Sequence, residues 1–217
     1  MALILCLETA TTLCSVGLSK DGKIIALRED GSAGFSHAEK LHVFIEEVMA
    51  EAKLDLNDLD AIAVSKGPGS YTGLRIGVSA AKGLCFALNK PLLAIETLEV
   101  LAHQVNDSEI VVPMLDARRM EVYSAIYDVE FNQIRETKAE ILSENSFEKY
   151  HDSEVTFIGN GVEKFIPLCS LPKSRFISEA LPSAREMALL AERLFEQGHF
   201  ENVAYFEPYY LKDFKVG

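Results

Sequence analysis

Apolar residues open the chain in short bursts. Leu3 to Leu7, Cys14 to Ser19 and Lys23 to Arg28 are brief, β-rich runs punctuated by Thr11-Thr12 and Asp21-Gly22, which predicts a three-stranded antiparallel meander closed by a tight hairpin. The period then changes. Leu41, Phe44, Ile45, Val48, Met49 and Ala52 recur at helical spacing, with Ser36 placed to cap the helix and Glu39 three residues on. Ala61-Ile62-Ala63-Val64-Ser65 is apolar without alternation, as expected of a strand covered on both faces in a mostly parallel arrangement. Leu92 to Ile95 repeats that pattern, and a short helix is expected from Thr97 to His103. The second half restarts the programme with Ile110 to Leu115, Glu121 to Val129 and Gln133 to Ala139 as a second meander. Val155 to Gly159 ends in a glycine turn. Ser183 opens a helix whose apolar positions Met187, Leu190, Ala191, Leu194 and Phe195 stop at Gln197-Gly198. The expectation is an α/β protein of two similar lobes, residues 1–106 and 107–217, each a mixed sheet with helices.

The loop Gly67 to Gly77 leads into a second long helix with an unusual surface. Gly73, Gly77, Ala81 and Cys85 recur every four residues, flanked by Ala80, Leu84 and Leu88, so one face is almost flat. A glycine inside a helix costs about 1 kcal/mol against alanine, so Gly77 and Gly83 need close packing to offset them. The flat face can lie against its own lobe, which explains part of the stripe, or dock another helix. Leu74, Ile76, Val78, Leu84, Phe86 and Leu88 make this helix apolar on nearly all sides, more than one sheet covers. The two long helices are therefore expected to form a helical-bundle interface, using Leu41, His42, Ile45 and Met49 of the first and Thr72, Gly73, Ile76, Gly77, Ala80, Ala81 and Leu84 of the second.

Composition narrows the chemistry. The 217 residues carry a formal net charge of -12, which excludes stand-alone binding to a phosphate backbone, because that binding depends on Lys and Arg neutralising phosphates. Cys6, Cys14, Cys85 and Cys169 form no CxxC pair and read as buried hydrophobes in a reducing compartment. Leu3 to Leu7 is too short for a signal or membrane segment, and a cytoplasmic location is expected. Ser70 and Thr72 are natural helix caps, and no His-Asp order completes a nucleophilic triad. The glycine loop is no phosphate-binding P-loop, since no Gly-Lys-Ser/Thr follows it.

Taken together, Leu7-Glu8-Thr9-Ala10, the run Ser65 to Gly77, Asp116-Ala117-Arg118-Arg119-Met120-Glu121-Val122-Tyr123 and the tail Pro208-Tyr209-Tyr210-Leu211 resemble the TsaB (YeaZ) family. The double meander-plus-helix layout is similar to the acetate kinase, sugar kinase, heat-shock and actin superfamily (ASKHA), a two-lobed actin-like ATPase fold. The resemblance implies a non-catalytic subunit of the machinery that places threonylcarbamoyl on N6 of adenosine 37 in ANN-decoding tRNAs. It implies pairing with a TsaD-like transferase through the two long helices, a homodimer when the chain is alone, a TsaE-like ATPase as third partner, and tRNA reached only through the complex, with no membrane.

The residues agree with lost chemistry. The catalytic paralogue carries two histidines four residues apart on a helix, whereas here the position four after His37 is Leu41. His42 lies five residues on, about 500° around the helix at roughly 100° per residue, so both histidines read as solvated polar-face residues and no metal site is expected. In the second lobe the turn Leu115 to Arg119 has no glycine to let backbone N–H groups approach a phosphate, although its arginines could attract an anion. Glu8 and Thr9 stand where sugar kinases place an Asp-Gly pair. Gly159-Asn160-Gly161 could line a remnant adenosine pocket, but as a strand-end turn it needs no ligand to explain it. No cofactor and no catalytic residue is assigned; an active kinase or a peptidase acting on the partner is the alternative. Arg118, Arg119, Glu121 and Tyr123 form either an ion-pair network or a docking surface, with Arg119, Glu121 and Tyr123 on one strand face. The aromatic tail Tyr205 to Lys212 either packs on the second lobe or meets the ATPase.

Overall fold

Both halves of the chain build a sheet in the same way. In the computed structural model, which describes residues 2–31 and 37–212, β1 (Leu3–Glu8), β2 (Cys14–Lys20) and β3 (Lys23–Asp30) form the expected antiparallel meander. Helix α1 (His37–Ala52) then crosses back to β4 (Ala61–Gly67), and α2 (Tyr71–Leu88) to β5 (Leu92–Glu96), and both strands add parallel. The first sheet thus runs β3-β2-β1-β4-β5. After the short helix α3 (Thr97–Ala102) the plan repeats with β6 (Ile110–Asp116), β7 (Glu121–Asp128), β8 (Gln133–Ile141), β9 (Val155–Ile158) and β10 (Ser174–Ile177). Its sheet runs β10-β9-β6-β7-β8, the same order with the same parallel and antiparallel pairings. This duplicated α/β arrangement is the one the actin-like ATPase resemblance implies. The last helix among the described residues is α4 (Ala184–Glu196), capped by Ser183, whose hydroxyl accepts from the Arg185 N–H. The expected Ser36 cap of α1 lies outside the described residues.

The continuous apolar run of β4 has the predicted cause, since both faces of the first sheet are covered. Leu5, Leu7, Ile62 and Val64 pack under Leu41, Ile45 and Val48 of α1 and Val78 and Ala81 of α2. Ile4, Cys6, Ala61 and Ala63 face the other way, onto Ala184, Met187, Leu190 and Ala191 of α4. That second cover changes the division of the chain. Where the sequence predicts one break near residue 106, the chain separates into Met1–Val100 with Pro182–Tyr210 and Leu101–Leu181 with Leu211–Gly217. The reason is physical: a parallel strand needs apolar cover on both sides. α4 supplies it from far along the chain, tied down where the Ser15 hydroxyl accepts from the Ala184 N–H and the Ser183 hydroxyl donates to Glu29. The second sheet keeps a smaller aromatic core of Phe147, Phe157 and Phe165, with ring centroids 4.9 to 5.4 Å apart. Strand β10 was not predicted, because Ser174-Arg175-Phe176-Ile177 is too short and too exposed to show a period.

The glycine stripe of α2 faces inward. A methyl group on Gly73 would overlap the Thr9 carbonyl oxygen, one on Gly77 the Thr9 hydroxyl, and one on Gly69 the Ala10 carbonyl. The Thr9 hydroxyl donates to the Gly73 carbonyl at 2.8 Å, so helix and turn are bonded as well as packed. Gly83 differs, with nothing among the described residues within 4 Å of where its Cβ would be. The two sites should respond oppositely to alanine. Gly73→Ala forces the backbone of the Thr9 turn away, an overpacking cost of about 1–3 kcal/mol that exceeds the gain in helix propensity. Gly83→Ala should stabilise by up to about 1 kcal/mol. Urea midpoints of the two variants check this, and equal shifts of one sign would refute it.

Candidate functional site

Three places gather the chemistry-bearing residues: the turn after β1, the outer surface of α1 and α2, and the β6–β7 hairpin tip.

At the turn, Glu8 and Thr9 are fully buried. The Ala10 N–H donates to one Glu8 carboxylate oxygen at 2.6 Å; the other makes no hydrogen bond of normal geometry among the described residues, with the Ser65 hydroxyl close enough to favour the charged form. Burial pushes the Glu8 carboxyl up from 4.5 to about 7, and the Ala10 hydrogen bond only partly offsets it. The space beyond the turn is closed by the chain itself, because Gly69, Gly73 and Gly77 press against Thr9 and Ala10. The Ser70 N–H donates to the Ala10 carbonyl at 2.7 Å, and the Ser70 hydroxyl caps α2 by accepting from the Gly73 N–H at 3.2 Å. Ser70 is thus the helix cap expected of it. Gly67 in turn lies under the Tyr209 carbonyl, and the Tyr209 N–H donates to the Lys66 carbonyl at 2.7 Å. His37 corrects the sequence reading: it is buried, with its Nε2 at 2.7 Å from the Thr11 carbonyl, rather than solvated. Among the described residues no three of His, Cys, Asp and Glu are grouped to hold a metal. Burial pushes the Cys6 and Cys85 thiols up to about 12 and Cys14 to about 11, far from a reactive thiolate.

On the helices, the predicted contact residues separate into two sets. Leu41, Ile45, Met49, Gly73, Gly77 and Ala81 are buried in the chain's own core, and their place in a docking surface is withdrawn: the sheet and the Thr9 turn already cover them. His42, Thr72, Ile76, Ala80 and Leu84 line an open groove of about 720 Å³ between the outer faces of α1 and α2. Ala38, Arg75, Ser79 and Gly83 line it too; of these only Gly83 stood out in the sequence, as a costly mid-helix glycine and not as a contact residue. Arg75, Ser79 and Gly83 stand two residues on from the buried stripe, about 200° around the helix and so on its opposite side. The tail is divided: Tyr205 to Tyr210 lie on this first unit, and only Leu211 and Lys212 join the second, where packing alone was expected to put the whole segment. Lys82 donates to the carbonyls of Ala204 at 3.3 Å and Phe206 at 2.8 Å, and Tyr210 sits with its ring centroid 4.9 Å from that of Tyr71.

At the hairpin tip, Arg118 and Arg119 both take positive φ, 70° and 53°. Arg119 therefore belongs to the turn, and only Glu121 and Tyr123 share a face of β7. Asp116 accepts from the Arg118 N–H and from Lys164 Nζ, each at 2.6 Å. The Asn160 side-chain oxygen accepts from the Asp116 N–H at 2.9 Å. Gly159 and Gly161 are explained by the Met114 and Leu115 backbone against them. Lys212 forms an ion pair with Glu121 and stands 5.7 Å from the Tyr123 ring centroid.

A family profile described as TsaD, tRNA N6-adenosine threonylcarbamoyltransferase, matches residues 32–216. The tRNA threonylcarbamoyladenosine biosynthesis protein TsaB of Escherichia coli K12 is 30% identical over 97% of this chain and 94% of its own length. That of Haemophilus influenzae is 31% identical over 97% and 93%. The solved structure of YeaZ from Pseudomonas aeruginosa superposes with a TM-score of 0.83 at 28% identity, covering 97% of this chain and all of that one. In these comparisons the chain is similar to TsaB and YeaZ proteins along nearly its whole length.

Glu8 makes stability depend on pH in a stated direction. The folded chain holds the Glu8 proton more tightly than the unfolded chain, so this contribution is complete below pH 4.5 and lost as pH rises through about 7. The loss amounts to about 3 kcal/mol. Glu8→Gln should remove that slope and raise the urea midpoint at pH 8 relative to the parent chain. A parent and variant with parallel stability profiles from pH 4 to 8 would contradict the assignment.

Proposed function

The chain belongs to the TsaB family of tRNA threonylcarbamoyladenosine biosynthesis proteins, and we propose that it serves there as a non-catalytic scaffold. In this reading it is required, with a TsaD-like transferase and a TsaE-like ATPase, for threonylcarbamoylation of N6 of adenosine 37 in ANN-decoding tRNAs. It works in the cytoplasm and pairs with a second copy of itself when the transferase is absent.

The observation that carries the reading is the division of α2 between two tasks. Its inner row, Gly69 of the preceding loop with Gly73 and Gly77, fills the space against the Thr9–Ala10 turn. A phosphate held by backbone N–H groups needs that kind of space open. Its outer row, the half-buried Ile76, Ala80 and Leu84 with the exposed Thr72 and Gly83, lines the groove beside His42 of α1, and a Cβ on Gly83 would meet nothing within 4 Å among the described residues. A glycine that costs helix stability without an internal reason is accounted for by the close approach of a helix from a partner. The docking surface is therefore the outer groove, and the buried residues of both helices support it from beneath. The α1–α2 pair contributes two helices to a bundle, with the partner contributing the rest.

Reconstitution tests this directly. Threonylcarbamoyl transfer and ATP turnover are measured for the chain alone, for the transferase and ATPase without it, and for the mixture; activity only in the mixture is expected, and turnover by the chain alone would overturn the scaffold reading. Gly83→Arg places a bulky charge in the groove without touching the chain's own core. It should melt no lower than the parent, since arginine is the better helix former, while affinity for the transferase falls by at least about tenfold, as a buried unpaired charge costs a few kcal/mol. Undiminished pairing of a folded Gly83→Arg chain would show that the groove is not the interface.

A further inference from the structure

The β6–β7 tip concentrates positive charge in a chain whose formal net charge is -12. Among the described residues, the tip and the side chains bonded to it hold four cations, Arg118, Arg119, Lys164 and Lys212, against two carboxylates, Asp116 and Glu121. Both carboxylates are already taken. Lys164 and the Arg118 N–H occupy Asp116, and Lys212 occupies Glu121 while its Nζ also reaches toward the Ala117 carbonyl at 3.5 Å. The two guanidiniums are exposed and have no ion-pair or side-chain hydrogen-bond partner among the described residues.

The backbone beneath them is braced. The Ala117 N–H donates to the Glu121 carbonyl at 3.1 Å, and the Glu121 N–H to the Arg118 carbonyl at 3.2 Å. Asn160 holds the Asp116 N–H at 2.9 Å from the adjoining turn. Bonded in this way, the tip keeps two arginines at positive φ, a conformation that glycine or asparagine would adopt with less strain. A braced turn also presents its side chains with less ordering left to do on binding.

We propose that this tip is an RNA-contacting surface, with Arg118 and Arg119 engaging phosphate groups of the RNA backbone. The proposal rests on the tRNA-modification reading above. Guanidinium forks match phosphate oxygens two at a time, and their weak hydration makes them better suited to that contact than lysine. A chain of this net charge repels RNA at long range, so the contact acts only inside a complex in which a partner brings the RNA near. Within that complex the tip supplies position, not sequence discrimination, because phosphates are the same along the strand.

The test is binding of an unmodified tRNA transcript by the complex reconstituted with the transferase, followed by fluorescence anisotropy over a range of KCl concentrations. The double variant R118Q/R119Q should leave assembly, judged by gel filtration, and thermal unfolding unchanged. Its tRNA affinity should fall about tenfold at physiological salt, and the slope of log affinity against log salt should shrink by about 1.5, as expected when about two phosphate contacts are lost. An assembled double variant with parental affinity and slope would overturn the proposal. So would a folded double variant that fails to assemble, which would make the tip a contact for an acidic protein surface. A parental complex with no affinity for tRNA would count against the modification reading itself and would take this proposal with it.

Discussion

The structure of the first unit hangs on one steric constraint: the N-terminal half of α2 must lie in contact with the backbone of the Thr9–Ala10 turn. Three glycines in register, Gly69, Gly73 and Gly77, make that approach possible, and the Thr9 hydroxyl locks it through the Gly73 carbonyl. Much else follows from it. β1 and β4 must be neighbours, because the turn ends one and the glycine loop ends the other, and Leu7 does stand opposite Val64. Glu8, at the end of β1, is carried out of water by the same closure. It remains there with one oxygen bonded to the Ala10 N–H and the Ser65 hydroxyl nearby. The tail completes the seal, since Tyr209 crosses the Gly67 backbone and Lys82 binds the Ala204 and Phe206 carbonyls.

Much of this fold was legible from pattern because its strands are long and their punctuation strong. Both meanders, both long helices and the α4 cap at Ser183 stand where apolar period and turn residues place them. What pattern did not reveal shares one cause, that packing partners distant in sequence leave no local mark. α4 is amphipathic whichever sheet it covers, so nothing near residue 183 indicates that it closes the first sheet rather than the second. His37 looks like any polar helix residue until the Thr11 carbonyl is found beside it. β10 borrows its extended form from β9 and shows no alternation of its own.

The candidate site shows the same limit at finer scale. A row of small residues every four positions was visible, and so was the need for a close neighbour. Which neighbour was not, because an internal turn and an external helix ask the same thing of a glycine. The structure separates the cases by what stands opposite each Cβ position: Thr9 for Gly73 and Gly77, nothing for Gly83. Of the residues first grouped as one surface, His42, Thr72, Ile76, Ala80 and Leu84 face the groove, and the rest are core. At the hairpin tip the sequence showed alternating charges and could not show pairing, which depends on Lys164 and Lys212 arriving from other elements.

A common logic joins the two surfaces. In each, the fold uses the residues it needs and leaves others with no internal work. On α2 the inner glycines are consumed by the Thr9 turn, and Gly83 remains. At the β6–β7 tip the carboxylates are consumed by lysines, and Arg118 and Arg119 remain. Such leftovers are informative because each carries a cost that folding alone does not repay, helix entropy for a solvent-facing glycine and left-handed backbone for two adjacent arginines. A chain selected only to fold would have shed both through single substitutions, alanine in one place and glycine or asparagine in the other. Their presence is therefore best explained by contacts made outside the chain, and the chemistry of each leftover indicates the kind of contact. The absent side chain admits a closely packed helix, and the unpaired guanidiniums attract an anion.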